Sequence, residues 1–314
     1  MNCKNTKKKF VYWKKHFHTI YFTNQRCKDN IYKNNTFMKS VIVGTDFSKG
    51  SYVALEIAVD VANQLKTGIR LLWIKKEKKL LSGEQMEMTS HLAEEKLQQL
   101  CEKHQPDMRH GDISWAILSG KVATCISEEA KKEDSPMIVI GTNGASGFEK
   151  YWMGSTAVRI VQEAPCPTLT IREGYDFHKK LDNIVVPIRI NANSRQKVAP
   201  AAQMARIFGS QVFILGLIET AQDAMTLRTY LKQVEDFFAK EGIPYHSCGR
   251  RYEDYSKTVL EYATSINADL VVINTEQDRL LARLFLGTNA QQIVHHSQIP
   301  VLCLHPEDIG DIAR

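Results

Sequence analysis

Short, wholly apolar runs alternate along this chain with longer stretches of helical spacing. Val41-Ile42-Val43-Gly44 is one such run and ends in Thr45-Asp46, the pattern of a strand buried on both faces. Ser48 is placed to cap a helix. Ala54, Ile57, Ala58, Val61, Ala62 and Leu65 then fall at i, i+3, i+4, i+7, i+8 and i+11, one apolar stripe, with Gly68 as its stop. The pattern next predicts a strand from Ile69 to Ile74 and a helix over 84–104 with Leu92, Leu97, Leu100 and Cys101 inward. A strand from Ile113 to Leu118 follows, then a helix marked by Val122, Ala123, Ile126 and Ala130. Met137 to Ile140 is a fourth strand; Ala157, Val158, Ile160 and Val161 mark a helix to Glu163. Pro165 and Pro167 stop that helix before a last strand, Thr168 to Ile171.

Strands alternating with helices predict a parallel α/β sheet, and right-handed crossovers leave few topologies. If the strand order is 3-2-1-4-5, strands one and four are neighbours where the winding reverses, and ligands bind at that carboxyl edge. The edge carries a distinctive loop, Gly141-x2-Gly144-x9-Gly154-Ser155-Thr156. Glycines allow a close backbone approach to a ligand, and the helix beginning at Ser155 offers unpaired N–H groups to an anion. The loop therefore reads as a phosphate cradle. Asp46 can accept from a sugar hydroxyl, a base amine or Mg²⁺-bound water, or it can cap the next helix. Ile74 can wall an adenine pocket or be plain core. Ser155 and Thr156 can donate to phosphate or cap their helix; the preceding glycines favour phosphate.

After a polar linker, Glu173 to Asp182, the pattern restarts. Ile184 to Pro187 reads as a strand, Val198 to Phe208 as a helix with Gly209 behind it, and Val212 to Ile218 as a strand. A long helix runs through Phe237-Phe238, with a short strand near Tyr245, and Leu270 to Ile273 and Val301 to Leu304 mirror the last two strands of the first half. Gly154-Ser155 recurs as Gly287-Thr288 and Pro167 as Pro300, both 133 residues on. That is an internal duplication. The copies differ at the edge: Gly141 becomes Asn274, Gly144 becomes Gln277 and Asp46 becomes Arg189. A bulkier loop and a cation in place of a carboxylate predict that the first half alone takes the phosphate.

Composition refines this picture. The formal net charge is +6, yet residues 1–38 hold nine Lys/Arg against one acid, a surplus of +8, so the rest carries −2. The folded part is not basic, which argues against nucleic acid as a partner. The 1–38 leader has no apolar periodicity, and Phe10-Val11-Tyr12-Trp13 is too short for a signal-peptide core. It reads as disordered, and Met38-Lys39-Ser40 sits where a start codon would fall. Seven cysteines include no C-x-x-C pair, fitting reduced thiols in the cytoplasm. No apolar run is long enough to span a membrane.

No catalytic constellation is evident. There is no Gly-Lys-Ser/Thr after the loop and no G-x-S-x-G elbow. His16, His18, His295, His296 and His305 lack partners at metal spacing. Lys75-Lys76-Glu77-Lys78-Lys79 reads as a solvated loop.

The glycine loop running into Ser155-Thr156-Ala157, followed by Glu163-Ala164-Pro165-Cys166-Pro167-Thr168-Leu169, together with Thr45-Asp46 after the first strand, resembles the signature of universal stress proteins. The resemblance covers 39–173 strongly and 183–306 weakly, so the chain looks like a tandem member. It implies two flavodoxin-like α/β domains, each a five-stranded parallel sheet of order 3-2-1-4-5, pairing through their last strands. In the ATP-binding branch of the family, the matching positions are Thr45, Asp46, Ile74, Ile140, Gly141, Gly144, Gly154, Ser155 and Thr156. The expected ligand is ATP or AMP, with or without Mg²⁺, and the expected role is a cytoplasmic, homodimeric stress-response regulator whose second domain is degenerate. A slow ATP hydrolase and a scaffold that binds no nucleotide are the alternatives. Intact-mass measurement of the native protein checks the leader: a product beginning at Met38 is expected, and one beginning at Met1 contradicts it.

Overall fold

The computed structural model describes residues 39–75, 83–142, 155–175, 181–275 and 288–304. The leader, the lysine-rich loop beyond Lys75, Gly144, Gly154, Gln277, Gly287 and His305 lie outside them. The first half runs β1 (Ser40–Thr45), α1 (Lys49–Leu65), β2 (Gly68–Lys75), α2 (Gly83–His104), β3 (Ile113–Ser119), α3 (Val122–Lys132), β4 (Ile138–Gly141), α4 (Ser155–Glu163) and β5 (Thr168–Ile171). The second half runs β6 (Asn183–Ile188), α5 (Val198–Phe208), β7 (Gln211–Ile218), α6 (Ala224–Lys240), β8 (Tyr245–Arg251), α7 (Tyr255–Ser265), β9 (Leu270–Asn274), α8 (Thr288–His296) and β10 (Val301–Leu304).

These strands form one sheet, ordered β3-β2-β1-β4-β5-β10-β9-β6-β7-β8. Each half is thus a parallel 3-2-1-4-5 sheet, as the alternation and the resemblance lead one to expect. The continuous apolar strands are continuous because both faces are covered. Val41, Val43, Val139 and Leu169 face a layer containing α1 and α5, while Ile42, Ile138 and Ile140 face one containing α3 and α4. Both layers extend across the two halves, giving helices, sheet and helices.

The halves meet where β5 and β10 pair antiparallel, with Val301 opposite Thr170, Leu302 opposite Leu169 and Cys303 opposite Thr168. The duplication offset of 133 makes Leu169 and Leu302 equivalent residues, so each faces its own counterpart. A local two-fold axis passes between them. Both side chains are buried in one shared core, and the Thr170 hydroxyl donates to the Val301 carbonyl at 3.2 Å.

Local details correct three expectations. The stop of α1 is Lys66, left-handed at φ 54°, and Gly68 instead opens β2, where a Cβ would lie 2.8 Å from the Asp112 carbonyl oxygen. Leu92 is 52% exposed, because the inward face of α2 is built on Ala93 and Leu97 with Leu100 and Cys101 packed against it; one position off that stripe rotates a side chain about 100° away. Helix α7, which the apolar pattern left unassigned, is capped by the Asp254 carboxylate accepting from Lys257 N at 2.9 Å and buries Val259, Tyr262 and Ala263.

Because Leu169 and Leu302 touch across the seam, their effects should couple. Each Leu→Ala change is expected to cost roughly 2–5 kcal/mol in urea unfolding, and the double mutant to depart from additivity by roughly 0.5–3 kcal/mol. Additive losses would mean that the halves do not share a core.

Candidate functional site

Register gathers most of the candidate residues at one edge of the first half. Gly44 sits opposite Ile140, so Thr45 and Asp46 leave β1 beside Gly141 at the end of β4. Thr45 sits opposite Trp73, which brings Ile74 of β2 level with Asp46. Ile74 and Ile140 are buried on the face that α3 and α4 cover. Ser155 and Thr156 open α4, exposed and half-buried respectively. Gly144 and Gly154, the other two members of the set, fall outside the described residues.

The turn after β1 is tightly specified. Thr45 is buried; its hydroxyl lies 3.0 Å from that of Ser51 and accepts from Phe47 N at 3.1 Å. Asp46 is exposed, and its carboxylate accepts from Ser48 N at 3.1 Å, so it braces the turn. The helix cap itself is Ser48, whose hydroxyl accepts from Ser51 N at 3.3 Å. Between them Phe47 is left-handed at φ 61°, which costs a side-chain-bearing residue roughly 1–2 kcal/mol. Its ring stacks on Trp73 with centroids 6.2 Å apart, and the Lys96 ammonium lies 5.2 Å above it. The spacing pattern did not single out Phe47, because a positive φ at a bulky residue leaves no mark in hydropathy.

Gly141 also has a packing role. A Cβ there would lie 2.8 Å from the carbonyl carbon and 2.9 Å from the carbonyl oxygen of Gly50. Its bareness lets the first turn of α1 press on β4.

The second half rebuilds the same edge with other chemistry. An offset of 143 carries β1 onto β6 and the left-handed stop Lys66 onto the left-handed stop Gly209. The cap survives it: Asn191 accepts from Ser194 N at 2.7 Å, as Ser48 does from Ser51. Gly50 becomes Asn193 and Gly141 becomes Asn274, whose amide now donates to the Asn193 carbonyl. With a side chain in the gap, the start of the helix is a 3-10 turn over Ala192–Arg195, and α5 begins at Val198. The β6–β9 ladder includes Ile184 and Val185, whereas β1–β4 pairing reaches Gly44. Pro187, which stands where Gly44 does, has no N–H to offer.

Arg189 replaces Asp46 and lies with its guanidinium carbon 4.8 Å over the Tyr255 ring. Lys197 replaces Ala54. It is 3% exposed, and its ammonium has no hydrogen bond or ion pair among the described residues. Burial pushes its ammonium down to about 7, and the Arg189 charge adds to the effect. The Asn274 side-chain oxygen Oδ1 is also buried without a hydrogen-bond partner among the described residues. The sequence did carry the signal for Lys197, since the offset sets it against a buried alanine, but hydropathy alone reads it as a helix-start lysine.

Among the described residues no helix is long and apolar enough to cross a membrane, and no cluster of three or more His, Cys, Asp or Glu could hold a metal.

Two doubly wound α/β units fused through their last strands, with polar and charged residues at the carboxyl edge of each, define a tandem protein of the flavodoxin-like class. The chain belongs to the universal stress protein family, whose model matches residues 38–172 and again 180–305. It is 26% identical over 140 residues to universal stress protein MJ0531 of Methanocaldococcus jannaschii, covering 43% of this chain and 82% of that protein. A universal stress protein structure from Archaeoglobus fulgidus superimposes with a TM-score of 0.70 at 19% identity, covering 87% of this chain and 98% of its own. A Pseudomonas aeruginosa protein described as functionally unknown, PA1789, gives 0.61 at 16% identity, covering 88% and 96%. At these identities the structures speak for the fold.

Lys197 is more weakly protonated folded than unfolded between about 7 and its ordinary 10.5, so the unfolded chain binds the extra proton there and stability rises with pH through that window. Lys197→Met is therefore expected to stabilise the protein more at about pH 7 than at about pH 9 in urea unfolding. An equal gain at both would show that the ammonium is not held in a dry site.

Proposed function

We propose that the first half binds an adenine nucleotide, ATP or AMP, at the edge formed by Thr45, Asp46, Ile74, Ile140, Gly141, Ser155 and Thr156, with Gly144 and Gly154 completing the cradle. The observation that supports this reading is the register, which brings the exposed Asp46 beside Gly141 at the end of β4 and level with Ile74 of β2. Asp46 would accept from ribose hydroxyls, Ile74 would lie against the base, and the α4 amides with the Ser155 and Thr156 hydroxyls would hold phosphate. A Mg²⁺ ion bound with the nucleotide would be carried by phosphate oxygens and water, with Asp46 as an acceptor for that water. The strained Phe47 turn supports the reading, because such strain persists where surroundings over-determine it.

The protein then acts as a regulatory module of the stress response: a nucleotide shifts it toward whichever arrangement binds that nucleotide better. The second half serves as its structural partner, with Asn274 filling the place of a bare glycine and Arg189 that of the carboxylate. Action in the cytoplasm agrees with Cys101, Cys125, Cys166, Cys248 and Cys303, all free thiols. Burial raises Cys101 to about 11 and Cys166 to about 12, so neither is primed to react. Since β5 and β10 pair within the chain, a homodimer would use another surface.

Thermal unfolding with and without nucleotide tests this. ATP or AMP at a hundredfold excess over its dissociation constant should add about 2.7 kcal/mol, and Asp46→Ala should lose most of that gain while the apo protein stays folded. No shift with any adenine nucleotide would leave the scaffold reading. Phosphate release at many turnovers, abolished by the same substitution, would make the protein an enzyme.

A further inference from the structure

We infer that β3, at one end of the ten-stranded sheet, is the surface on which a second copy of this chain docks, strand against strand about a two-fold axis. The sheet ends at β3 and β8, and a sheet end leaves a row of N–H and C=O groups open to another strand. The two ends are built differently. Strand β8, YHSCGRR, closes with Arg250 and Arg251, both exposed, charges of the kind that keep an edge solitary. Strand β3, ISWAILS, carries no charge, and Trp115, Ala116, Ile117 and Leu118 are each only half-buried. Trp115 and Ile117 lie against one apolar layer, Ala116 and Leu118 against the other, so apolar surface is left over on both faces of the same edge.

Hydrogen bonds decide where along β3 the copies meet. The Asp112 carbonyl accepts from Ile69 N at 3.0 Å, and Gly120 N donates to the Lys75 carbonyl at 3.3 Å. The even-numbered groups therefore face β2, and those of Ile113, Trp115, Ile117 and Ser119 face outward. The chain itself occupies the first part of that row: Ile113 N donates to Gln105 Oε1 at 2.8 Å, and the Trp115 carbonyl accepts from Arg70 Nη1 at 3.1 Å. The Trp115 amide and both backbone groups of Ile117 have no partner among the described residues. An antiparallel pair centred on Ile117 uses all three: each Ile117 exchanges both bonds with its counterpart, and each Trp115 amide donates to the second copy's Ser119 carbonyl. Centring nearer the start calls on the Ile113 amide, already taken, and centring nearer the end carries the Trp115 amide past the second copy's strand. The same register sets Lys121 of each copy beside Asp112 of the other. Both are exposed, an acid at one end of the strand and a base at the other, and such ends complement each other when the copies run antiparallel. The molecule already contains a contact of this kind, since β5 meets its duplicate β10 antiparallel. A two-fold pair also closes, whereas β3 against β8 would run head-to-tail. The inference deepens the homodimeric part of the reading above and rests on it only for the expectation that two chains assemble.

Sedimentation equilibrium of the full chain at micromolar concentration should give twice the monomer mass. Ile117→Pro removes an outward amide and leaves the ladder with β2 whole, so it should yield a monomer with an unchanged far-UV spectrum. Should proline disturb the fold, Ile117→Lys puts a charge on the same edge and should give the same monomer. Lys121→Glu sets acid against acid across the axis and should raise the dimer dissociation constant about tenfold; adding Asp112→Lys should restore it. A monomeric wild type, as when a segment of the chain's own covers the edge, overturns the inference. So does a dimer that survives the Ile117 changes, meaning that the copies meet elsewhere. A Lys121→Glu change without effect, or one that Asp112→Lys does not rescue, overturns it too, as do assemblies that keep growing with concentration, the mark of β3-to-β8 stacking. The thermal shift with ATP is read on the same samples: its absence in the wild type removes nucleotide binding and leaves the interface, so either reading can fail alone.

Discussion

The contact on which most of this molecule depends is one between two stretches of backbone: Gly141 at the end of β4 and Gly50 in the first turn of α1. With no Cβ at Gly141, the helix lies within 3 Å of where that atom would stand. That closeness lets α1 begin at once after β1, so Ser48 can cap it and Thr45 can meet Ser51 across the turn. Asp46 and the strained Phe47 are consequences of making that turn so short. In the second half, a single amide group at Asn274 occupies the gap, bonds to the carbonyl of Asn193, and the helix starts later.

The seam between the halves is the second organising constraint. An edge strand exposes unpaired N–H and C=O groups and invites association. Here each half covers the edge of the other, because β5 and β10 are copies of one strand and pair about a two-fold axis. The apolar layers on both faces then run through without a break, and α1 packs near α5 across the join. Duplication thereby solves an edge problem that either half alone would carry.

Electrostatics diverged where the scaffold did not. Asp46 and Arg189 occupy equivalent positions, exposed and half-buried respectively, and Ala54 has become Lys197 at a buried position. Burying an ammonium with no ion pair among the described residues is costly.

The amino-acid sequence by itself determined the two-fold repetition, the parallel α/β class and nearly every element of it, because buried strands must be apolar on both faces and helices must show their stripe. Polar, short-stripe α7 escaped that logic, and Leu92 was placed inward because a one-residue shift in helical phase hardly changes a hydropathy pattern. Asp46, Ile74 and Gly141 were legible from their places at strand ends, and Ile140 joined them only through the family resemblance. What tertiary structure decided was how they are used: that Gly141 makes room for a helix, that Phe47 is wound left-handed, and that Leu169 meets its own duplicate. It also decided that Lys197 lies buried, since burial is a property of the folded chain that no local pattern of residues encodes.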